Sequence, residues 1–286
     1  MESTREGLSF TARMAAAARA AHLLVDAPPH VFTDSPAAAW MGGHAEQMLG
    51  PHRAFPQHPV LAGARATAVI RARYAEDRFA ASYARGVRQL VILGAGLDSF
   101  AQRAEWAHDA RVFEVDQPAM STYKRDLLAG TGASPLTELV LVPALLGQDP
   151  LLPALVAAGL DVTEPAVVTW LGVTNYLPRE LIEAALTDVA AMAPGTSLVL
   201  DYILPADLRD EAGTSYADAV MHAAAERQEP WVTFLTTGEA AELLERSGWR
   251  VEEDLAQDDA IDTELRNGAV GLPRQQLTRL VTARLS

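Results

Sequence analysis

The sequence contains no cysteine among its 286 residues. Disulfides, thiolate metal sites and cysteine nucleophiles are therefore excluded together, and no metal site is predicted. Long apolar runs are lacking too. The first residues are polar and include acids, and no uninterrupted apolar stretch follows that is long enough for a signal peptide or a membrane span. These absences favour a cytoplasmic protein with no membrane partner.

Positive charge is also scarce. The chain has 23 basic against 37 acidic residues, so its net charge is −14. A strongly acidic surface repels a phosphate backbone, which argues against nucleic acid as a partner. The length and the 49% hydrophobic content instead suit one large α/β domain with a well-buried core.

Strand and helix patterns alternate after about the first eighty residues. Strands are predicted at 90–93, 111–115, 139–142, 167–171, 197–203, 249–255 and 277–285. Helices are predicted between them, most clearly at 178–192 and 237–247. Such alternation indicates a mostly parallel sheet covered on both faces. The last two strands are joined by residues 256–274, which show no convincing helix, so a hairpin there would make the final strand antiparallel.

The N-terminal part of the chain is predicted to be helical. Helices are expected at 11–24, 36–41 and 60–82, and Pro51, Pro56 and Pro59 are expected to break the chain between the last two. We therefore divide the chain into a helical cap, 1–82, and a core, 83–286. Within the core, the helical pattern at about 205–230 predicts a lid over the site.

A glycine-rich turn follows the apolar strand that ends at Leu93. Gly94 and Gly96 carry no Cβ, so the backbone can bend sharply there and a ligand can approach it closely. A helical segment, 99–106, follows. This is how α/β proteins hold a nucleotide-like cofactor at the carboxyl end of the first strand. Asp116 ends the second strand 20 positions after Gly96, about where an acid would meet a ribose hydroxyl.

The same turn geometry serves two kinds of cofactor. A dinucleotide fingerprint has a third glycine where this chain has Ser99. S-adenosylmethionine has no phosphate and needs only the first turn and an acid for its ribose. The sequence therefore favours S-adenosylmethionine, with a nicotinamide dinucleotide as the alternative.

Several longer blocks carry a family resemblance. They are 9–34 (from SFTA to PPHVFTD), 71–77 (RARYAED), 86–89 (GVRQ), 91–103 (VILGAGLDSFAQR), 112–118 (VFEVDQP) and 170–178 (WLGVTNYLP). Together they resemble the leucine carboxyl methyltransferase-like family of class I S-adenosylmethionine-dependent methyltransferases, and more narrowly its bacterial branch. The resemblance extends from about Ser9 to the end of the chain.

The resemblance implies a fold and an activity. The fold would be Rossmann-like, with a mostly parallel seven-stranded sheet, an antiparallel last strand and helices on both faces. The activity would be O-methylation of a small-molecule acceptor, at a carboxylate or hydroxyl of a secondary metabolite. Protein C-terminal carboxylates are also substrates in the wider family. A nicotinamide-dependent oxidoreductase and a non-catalytic cofactor-binding protein remain alternatives, and the oligomeric state is left open.

The family places an arginine against the carboxylate of the cofactor. Arg71 is the matching position. An arginine suits this role because a guanidinium binds a carboxylate through paired hydrogen bonds. Arg73 is the near alternative, and Arg19 is a further candidate for the same carboxylate.

The remaining cofactor contacts are expected around the turn and the end of the second strand. Gly94, Ala95 and Gly96 form the turn, and Asp116 is the predicted ribose ligand, followed by Gln117. Glu114 competes with Asp116, since alternate strand positions point the same way. Asp98, within the turn, is expected either to cap the next helix or to orient the loop.

Two positions depart from the family pattern. Many members have acids after the third and fourth strands, where this chain has Leu145 and Leu171. The adenine pocket is therefore expected to be more apolar, or to draw its polar contact from Gln148 or Asp149.

The acceptor side is the least clear from the sequence. Asn175, Tyr176 and Tyr202 are expected at the ends of the fourth and fifth strands, facing the crevice. His222, in the lid, is a candidate substrate contact and general base, and His44 is a second candidate base. A carboxylate acceptor needs no base, whereas a phenol would profit from one. We see no histidine paired with an acid at a recognisable spacing, which favours a carboxylate.

Overall fold

The computed structural model describes residues 9–132 and 134–286. Its described residues contain one seven-stranded sheet with the order β3-β2-β1-β4-β5-β7-β6. The strands are β1 (Gln89–Leu93), β2 (Arg111–Asp116), β3 (Glu138–Pro143), β4 (Ala166–Trp170), β5 (Ser197–Ile203), β6 (Arg250–Ala256) and β7 (Thr278–Arg284). The first five are parallel, and β7 runs antiparallel to both β5 and β6. The predicted fold class, including the antiparallel last strand, is confirmed.

The described α-helices cover both faces of the sheet and form the N-terminal part of the chain. They are α1 (Phe10–Val25), α2 (Ala37–Trp40), α3 (Ala45–Ala54), α4 (Pro59–Tyr83), α5 (Phe100–Arg103), α6 (Pro118–Thr131), α7 (Leu151–Ala157), α8 (Arg179–Val189), α9 (Glu211–Ala225), α10 (Thr237–Arg246) and α11 (Thr263–Gly268). Within the described ranges, no helix combines the length and the apolar character needed to cross a membrane.

The register of the parallel strands brings their carboxyl ends to one edge of the sheet. Leu93, the last residue of β1, is paired with Val115 on one side and with Trp170 on the other. The residues that follow these three strands are therefore neighbours in space. The strand order reverses between β1 and β4, which is where open α/β sheets bind ligands.

Helix α4 connects the N-terminal helices to the sheet. Its residues Val69, Ile70 and Phe79 belong to the same buried cluster as Leu90 of β1 and Val199 of β5. The helical region predicted as a cap thus shares its core with the sheet that it covers. The first eight residues of that predicted cap lie outside the described residues, and its boundary at residue 82 stays a prediction.

Two helices differ from the sequence-based expectation. Pro51, expected to break the chain, lies inside α3, where the neighbouring Leu49 and His52 are buried. Their burial outweighs the hydrogen bond that a proline removes from a helix. Helix α11 lies in the segment predicted to have no helix. It has six residues, too few for a periodic pattern. Asp262 caps its start, because its side chain accepts from the backbone N–H of Glu264 and Leu265.

A buried ion cluster fastens the N-terminal helices to one another. Arg65 of α4 donates to both oxygens of Asp26, at 2.7 and 2.9 Å. His22 accepts at Nε2 from the backbone N–H of Val31, so its Nδ1 carries the proton and donates to Asp26 at 2.9 Å. Burial and the adjacent Arg65 lower the pKa of His52 to about 4, which keeps this neighbour neutral. Histidine and acid are thus paired four residues apart, contrary to the expectation from the sequence, but this pair does not line the cavity described below.

We expect Asp26→Asn to lower the free energy of unfolding by roughly 3–5 kcal/mol at neutral pH, because it leaves a buried arginine without its partner. Burial raises the pKa of Asp26, but hydrogen bonds from His22 and Arg65 outweigh burial and hold the pKa below its usual value of 3.8. The stabilisation is therefore present above that pH and is lost as the pH falls through the folded-state pKa. Urea denaturation at pH 7 and below pH 3.8 measures both effects.

The matched control is Asp77→Asn, which breaks the exposed pair between Arg73 and Asp77. It should cost no more than about 0.5 kcal/mol. Equal losses for the two variants would contradict the structural role of the buried cluster.

Candidate active site

A cavity of about 460 Å³ opens at the carboxyl ends of β1, β2 and β4. Helices α1 and α4, the segment 228–231 and residues of α9 also line it. Its volume lies in the range of small-molecule sites. The cavity is therefore formed between the sheet and the N-terminal helices, at the point where the strand order reverses.

The glycine turn forms the floor of the cavity. Gly94 and Gly96 have φ of +66° and +52°, and a Cβ at Gly94 would lie 2.5 Å from Val173. Glycine is thus required at position 94 for both the backbone conformation and the close approach. Ala95 lies between them and also lines the cavity.

Asp116 holds this turn from the end of β2. Its carboxylate accepts from the backbone N–H of Gly96 at 2.6 Å and from that of Gln117 at 2.7 Å. Burial raises the pKa of Asp116, against the effect of these two hydrogen bonds. Asp116 and Gln117 both line the cavity, whereas Glu114 lies buried behind the turn, paired with Lys124. The structure therefore favours Asp116 over Glu114 as a group that can touch a ligand.

Arg71 lies where β4 ends. Its guanidinium contacts Gly172 so closely that a Cβ there would lie 2.4 Å from both terminal nitrogens. Arg71 donates to Asp201 at 3.2 Å, and the other oxygen of Asp201 accepts from the backbone N–H of Gly172 at 2.6 Å. The alternative, Arg73, is paired with Asp77 in an exposed position and does not line the cavity.

Arg19 also lines the cavity, but two of its nitrogens donate to the protein itself. Its Nε donates to Asp34 at 2.6 Å, and one terminal nitrogen donates to the carbonyl of Leu97 at 2.7 Å. Ser99, in the place of a third glycine, donates from its hydroxyl to Asp34 at 2.6 Å. Arg19 and Asp34 thus connect α1 and the segment after it to the glycine turn.

A second ion pair lies at the cavity wall and was not predicted from the sequence. Glu76 of α4 accepts from Arg103, which also donates to Ser99 at 2.9 Å. Burial raises the pKa of Glu76, and Arg103 opposes that shift. Both residues lie in the blocks that carry the family resemblance, but sequence spacing does not reveal that they meet.

Both positions that depart from the family pattern lie at the cavity: Leu145 and Leu171 line it, as does Gln148. Asp149 instead accepts from the backbone N–H of Leu145 at 2.8 Å and does not line the cavity. Of the two polar candidates from the sequence, the structure brings Gln148 to the site.

Two of the predicted acceptor contacts reach the cavity and two do not. Asn175 and Tyr176 line it. Tyr202 does not, because neighbouring strand positions face opposite ways. Its side chain is 1% exposed within the core, and its hydroxyl donates to Asp254 at 2.8 Å. Asp201, beside it on β5, faces Arg71 instead.

His222 does not reach the cavity either. Its side chain is 80% exposed, lies 3.4 Å from Glu226 and does not line the cavity. It lies on α9, and two other side chains of that helix, Tyr216 and Val220, line the cavity. His44 does not line it either. A helical pattern alone could not show which side of α9 would be turned inward.

Segment 228–231 lines the cavity beside the start of α1. The carboxylate of Glu229 accepts from the backbone N–H of Phe10 at 3.2 Å and of Thr11 at 3.0 Å. These N–H groups have no partner within α1 itself, since they belong to its first turn, and an acid at the start of a helix is favourable. Among the described residues, no group of histidines and acids is arranged to hold a metal ion.

The fold, with its cavity where the strand order reverses, is that of class I S-adenosylmethionine-dependent methyltransferases. Residues 12–190 match the family model for leucine carboxyl methyltransferase. The chain belongs to the leucine carboxyl methyltransferase family, which confirms the resemblance noted in the sequence.

Relatives and solved structures agree with this membership. A protein of Mycobacterium bovis (strain BCG / Pasteur 1173P2) is 42% identical over 146 residues, which is 50% of this chain and 47% of that protein. One from Mycobacterium sp. (strain JLS) is 36% identical over 196 residues, 64% of this chain and 61% of that protein. Both carry the description "Putative S-adenosyl-L-methionine-dependent methyltransferase". The chain thus spans about half the length of the first of these relatives.

Among solved structures, a "putative methyltransferase" from Thermobifida fusca YX has a TM-score of 0.61 at 20% identity, covering 100% of this chain and 98% of the other. A protein of the family named duf574 from Streptomyces avermitilis has a TM-score of 0.60 at 18% identity, covering 99% and 100%. At these identities the likeness supports the fold alone.

Gly172 leaves no room for a Cβ beside the guanidinium of Arg71. We expect Gly172→Ala to weaken binding of S-adenosylhomocysteine by roughly tenfold or more. The new Cβ would displace the guanidinium of Arg71, which is predicted to form charge-assisted hydrogen bonds with the carboxylate of the cofactor. Isothermal titration calorimetry measures the affinity.

Gly195→Ala is the matched control. Gly195 also has a positive φ, +85°, but the nearest atom to a Cβ there is 3.9 Å away. Both variants should lose roughly 1–2 kcal/mol of stability from the backbone conformation. Equal affinities for S-adenosylhomocysteine in the two variants would show that Arg71 is not needed for binding.

Proposed function

We propose that this protein is an S-adenosylmethionine-dependent O-methyltransferase that acts on a carboxylate or hydroxyl of a small molecule, such as a secondary metabolite. One observation carries the proposal. A single cavity combines the glycine turn, the carboxylate of Asp116 and the guanidinium of Arg71 with an acceptor side formed by Asn175, Tyr176 and Tyr216.

The residues present fit the cofactor. Asp116 would accept from the ribose hydroxyls, and Arg71 would pair with the carboxylate of the methionine part. The bound cofactor supplies an electrophilic methyl group on a sulfonium. The protein's task is to align an acceptor oxygen with that methyl group and to exclude water, which is mainly positioning.

The strand order favours the end of the cavity beside β3 as the adenine site. The turn and Asp116 follow β1 and β2, and the acceptor residues follow β4 or lie on α9. The space left for the base is lined by Ala144, Leu145, Leu146 and Gln148. Gln148 can donate and accept hydrogen bonds at a purine edge as an amide, in place of the acids that many family members have.

The cavity favours a carboxylate acceptor over a hydroxyl. Among its described lining residues there is no histidine. Each of the four acids that line it already accepts hydrogen bonds: Glu76 from Arg103, Asp98 from Phe100, Asp116 from Gly96 and Gln117, and Glu229 from Phe10 and Thr11.

The two tyrosines of the acceptor side do not supply a base either. Burial raises the pKa of Tyr216 to about 12 and also raises that of Tyr176. At neutral pH both are therefore hydrogen-bond donors. A carboxylate acceptor is already ionised and needs no base.

Two alternatives have less support. A nicotinamide-dependent oxidoreductase is disfavoured because Ser99, in place of the third glycine, is buried and bonded to Asp34. A non-catalytic cofactor-binding protein is favoured only by Leu145 and Leu171. Methyl turnover with any acceptor separates that alternative from the proposal.

We expect Asp116→Ala and Arg71→Ala each to weaken binding of S-adenosylhomocysteine roughly ten- to a hundredfold, because each removes a charge-assisted hydrogen bond. Calorimetry measures both affinities, with circular dichroism as the check on folding. Arg73→Ala is the control and should bind normally, because Arg73 lies two residues further along α4 and does not line the cavity. Tighter binding of NAD than of S-adenosylhomocysteine by the unmodified protein would overturn the proposal.

We expect the methyl-transfer rate to be nearly flat between about pH 6 and 9, because an acceptor carboxylate has a pKa near 4. Single-turnover assays with saturating cofactor and acceptor measure this. His222→Ala should leave the profile unchanged, since that side chain faces solvent. A rate that climbs steeply with pH would indicate a hydroxyl acceptor instead.

A further inference from the structure

Lys124 is the only lysine in the chain, and the other 22 basic residues are arginines. It lies on α6 and is buried, with its side chain 2% exposed. Its ammonium pairs with Glu114 of β2 and donates to the backbone carbonyl of Asp98 at 2.8 Å. The ring of Trp40, from α2, lies 5.0 Å from the nitrogen.

These three neighbours match the chemistry of an ammonium. A lysine has three N–H donors on one compact atom, and here they have a carboxylate, a carbonyl and an aromatic face. A planar guanidinium is larger and fans its donors out in a fixed fork. The site thus explains why a chain that otherwise uses arginine has lysine at this one position.

Stability alone is a poor reason for this pair. Glu114 is 1% exposed, and its second oxygen is buried with no hydrogen-bond partner among the described residues. Buried ion pairs of this kind often stabilise a protein no better than apolar residues of similar size would. A pair that leaves a carboxylate oxygen unsatisfied therefore points to a geometric role.

The position of Lys124 suggests that role. Asp98 lines the cavity, and its side chain caps the backbone N–H of Phe100 at 2.7 Å. Lys124 holds the carbonyl of Asp98, while Arg19 holds the preceding carbonyl, that of Leu97, at 2.7 Å. The start of the turn is held by Asp116. Lys124 therefore fixes the far end of the glycine turn from behind the cavity wall.

We propose that Lys124 is a positioning residue for the cofactor, because it fixes the Asp98 end of the glycine turn. Cofactor binding and the burial of the Lys124 amine are then coupled. This inference rests on the proposed function, because the coupling requires that the cavity bind S-adenosylmethionine or S-adenosylhomocysteine.

The first test separates affinity from stability. We expect Lys124→Met to weaken binding of S-adenosylhomocysteine roughly tenfold by calorimetry, within the range by which network residues modulate a site. Asp26→Asn is the control, since it breaks another buried ion pair but lies outside the cavity, and it should leave the affinity unchanged. A change below about twofold for Lys124→Met, or an equal loss in both variants, would overturn the positioning role.

The second test uses the unmodified protein and does not depend on whether a variant folds. Because Lys124 is the only lysine, an amine-selective acetylating reagent has two amine targets, that of Lys124 and the α-amino group, and peptide mass mapping follows the two separately. We expect Lys124 to react slowly, at a rate that is constant at low urea and thus reports local opening of the turn. S-adenosylhomocysteine at about 100 times its dissociation constant should slow that rate by roughly tenfold or more.

Two results would overturn the coupling while leaving the proposed function intact. One is a constant low-urea rate that bound S-adenosylhomocysteine does not change. The other is acetylation that follows only global unfolding at every urea concentration. If calorimetry detects no binding of S-adenosylhomocysteine to the unmodified protein, the proposed function fails and the coupling fails with it.

Discussion

The parallel register of β1 with β2 and β4 is the constraint on which the site depends. Because parallel strands end at the same edge, Leu93, Val115 and Trp170 lie side by side. The glycine turn, Asp116 and the segment that begins at Leu171 then follow without further adjustment. The cavity is a consequence of this edge together with the reversal of strand order next to β1.

Charged groups then set the shape of the cavity. Asp34 accepts hydrogen bonds from Arg19 and Ser99. Glu76 accepts from Arg103, and Asp201 accepts from Arg71. The contacts Ser99–Asp34, Arg103–Glu76 and Arg71–Asp201 join the N-terminal helices, or the segment after α1, to β5 or to the segment that follows β1. The wall formed by α1 and α4 is thus held at fixed points, which suits a reaction whose main requirement is alignment.

The same pairing leaves little free acid or base in the cavity. The carboxylates that line it are engaged by backbone or arginine donors, and the tyrosines of its acceptor side keep their protons. An arrangement of this kind binds and orients well but is poorly suited to removing a proton. The proposal of an acceptor that is already ionised rests on this electrostatic character more than on any single residue.

Much of the fold could be predicted because its signals are local. Apolar strands, the prolines and glycines that end elements, and the spacing from Gly96 to Asp116 are written in short stretches. Pro51 in α3 and the six-residue helix α11 were missed, since burial at Leu49 and His52 overrode a local rule in one case and the element was too short in the other. The glycine turn and Asp116 could be predicted as candidates because their signals, like those of the strands, are local.

The sequence by itself determined the sheet, the glycine turn and the family, because these depend on the order of residues along a few segments. Only the tertiary structure decided that Tyr202 and His222 face away from the cavity, that Gln148 and not Asp149 lines it, and that Glu76 meets Arg103. These outcomes depend on which side of a strand or helix is turned inward and on contacts between distant segments. A one-residue step along a strand reverses the direction of a side chain, so local sequence cannot supply that answer until the packing partners are in place.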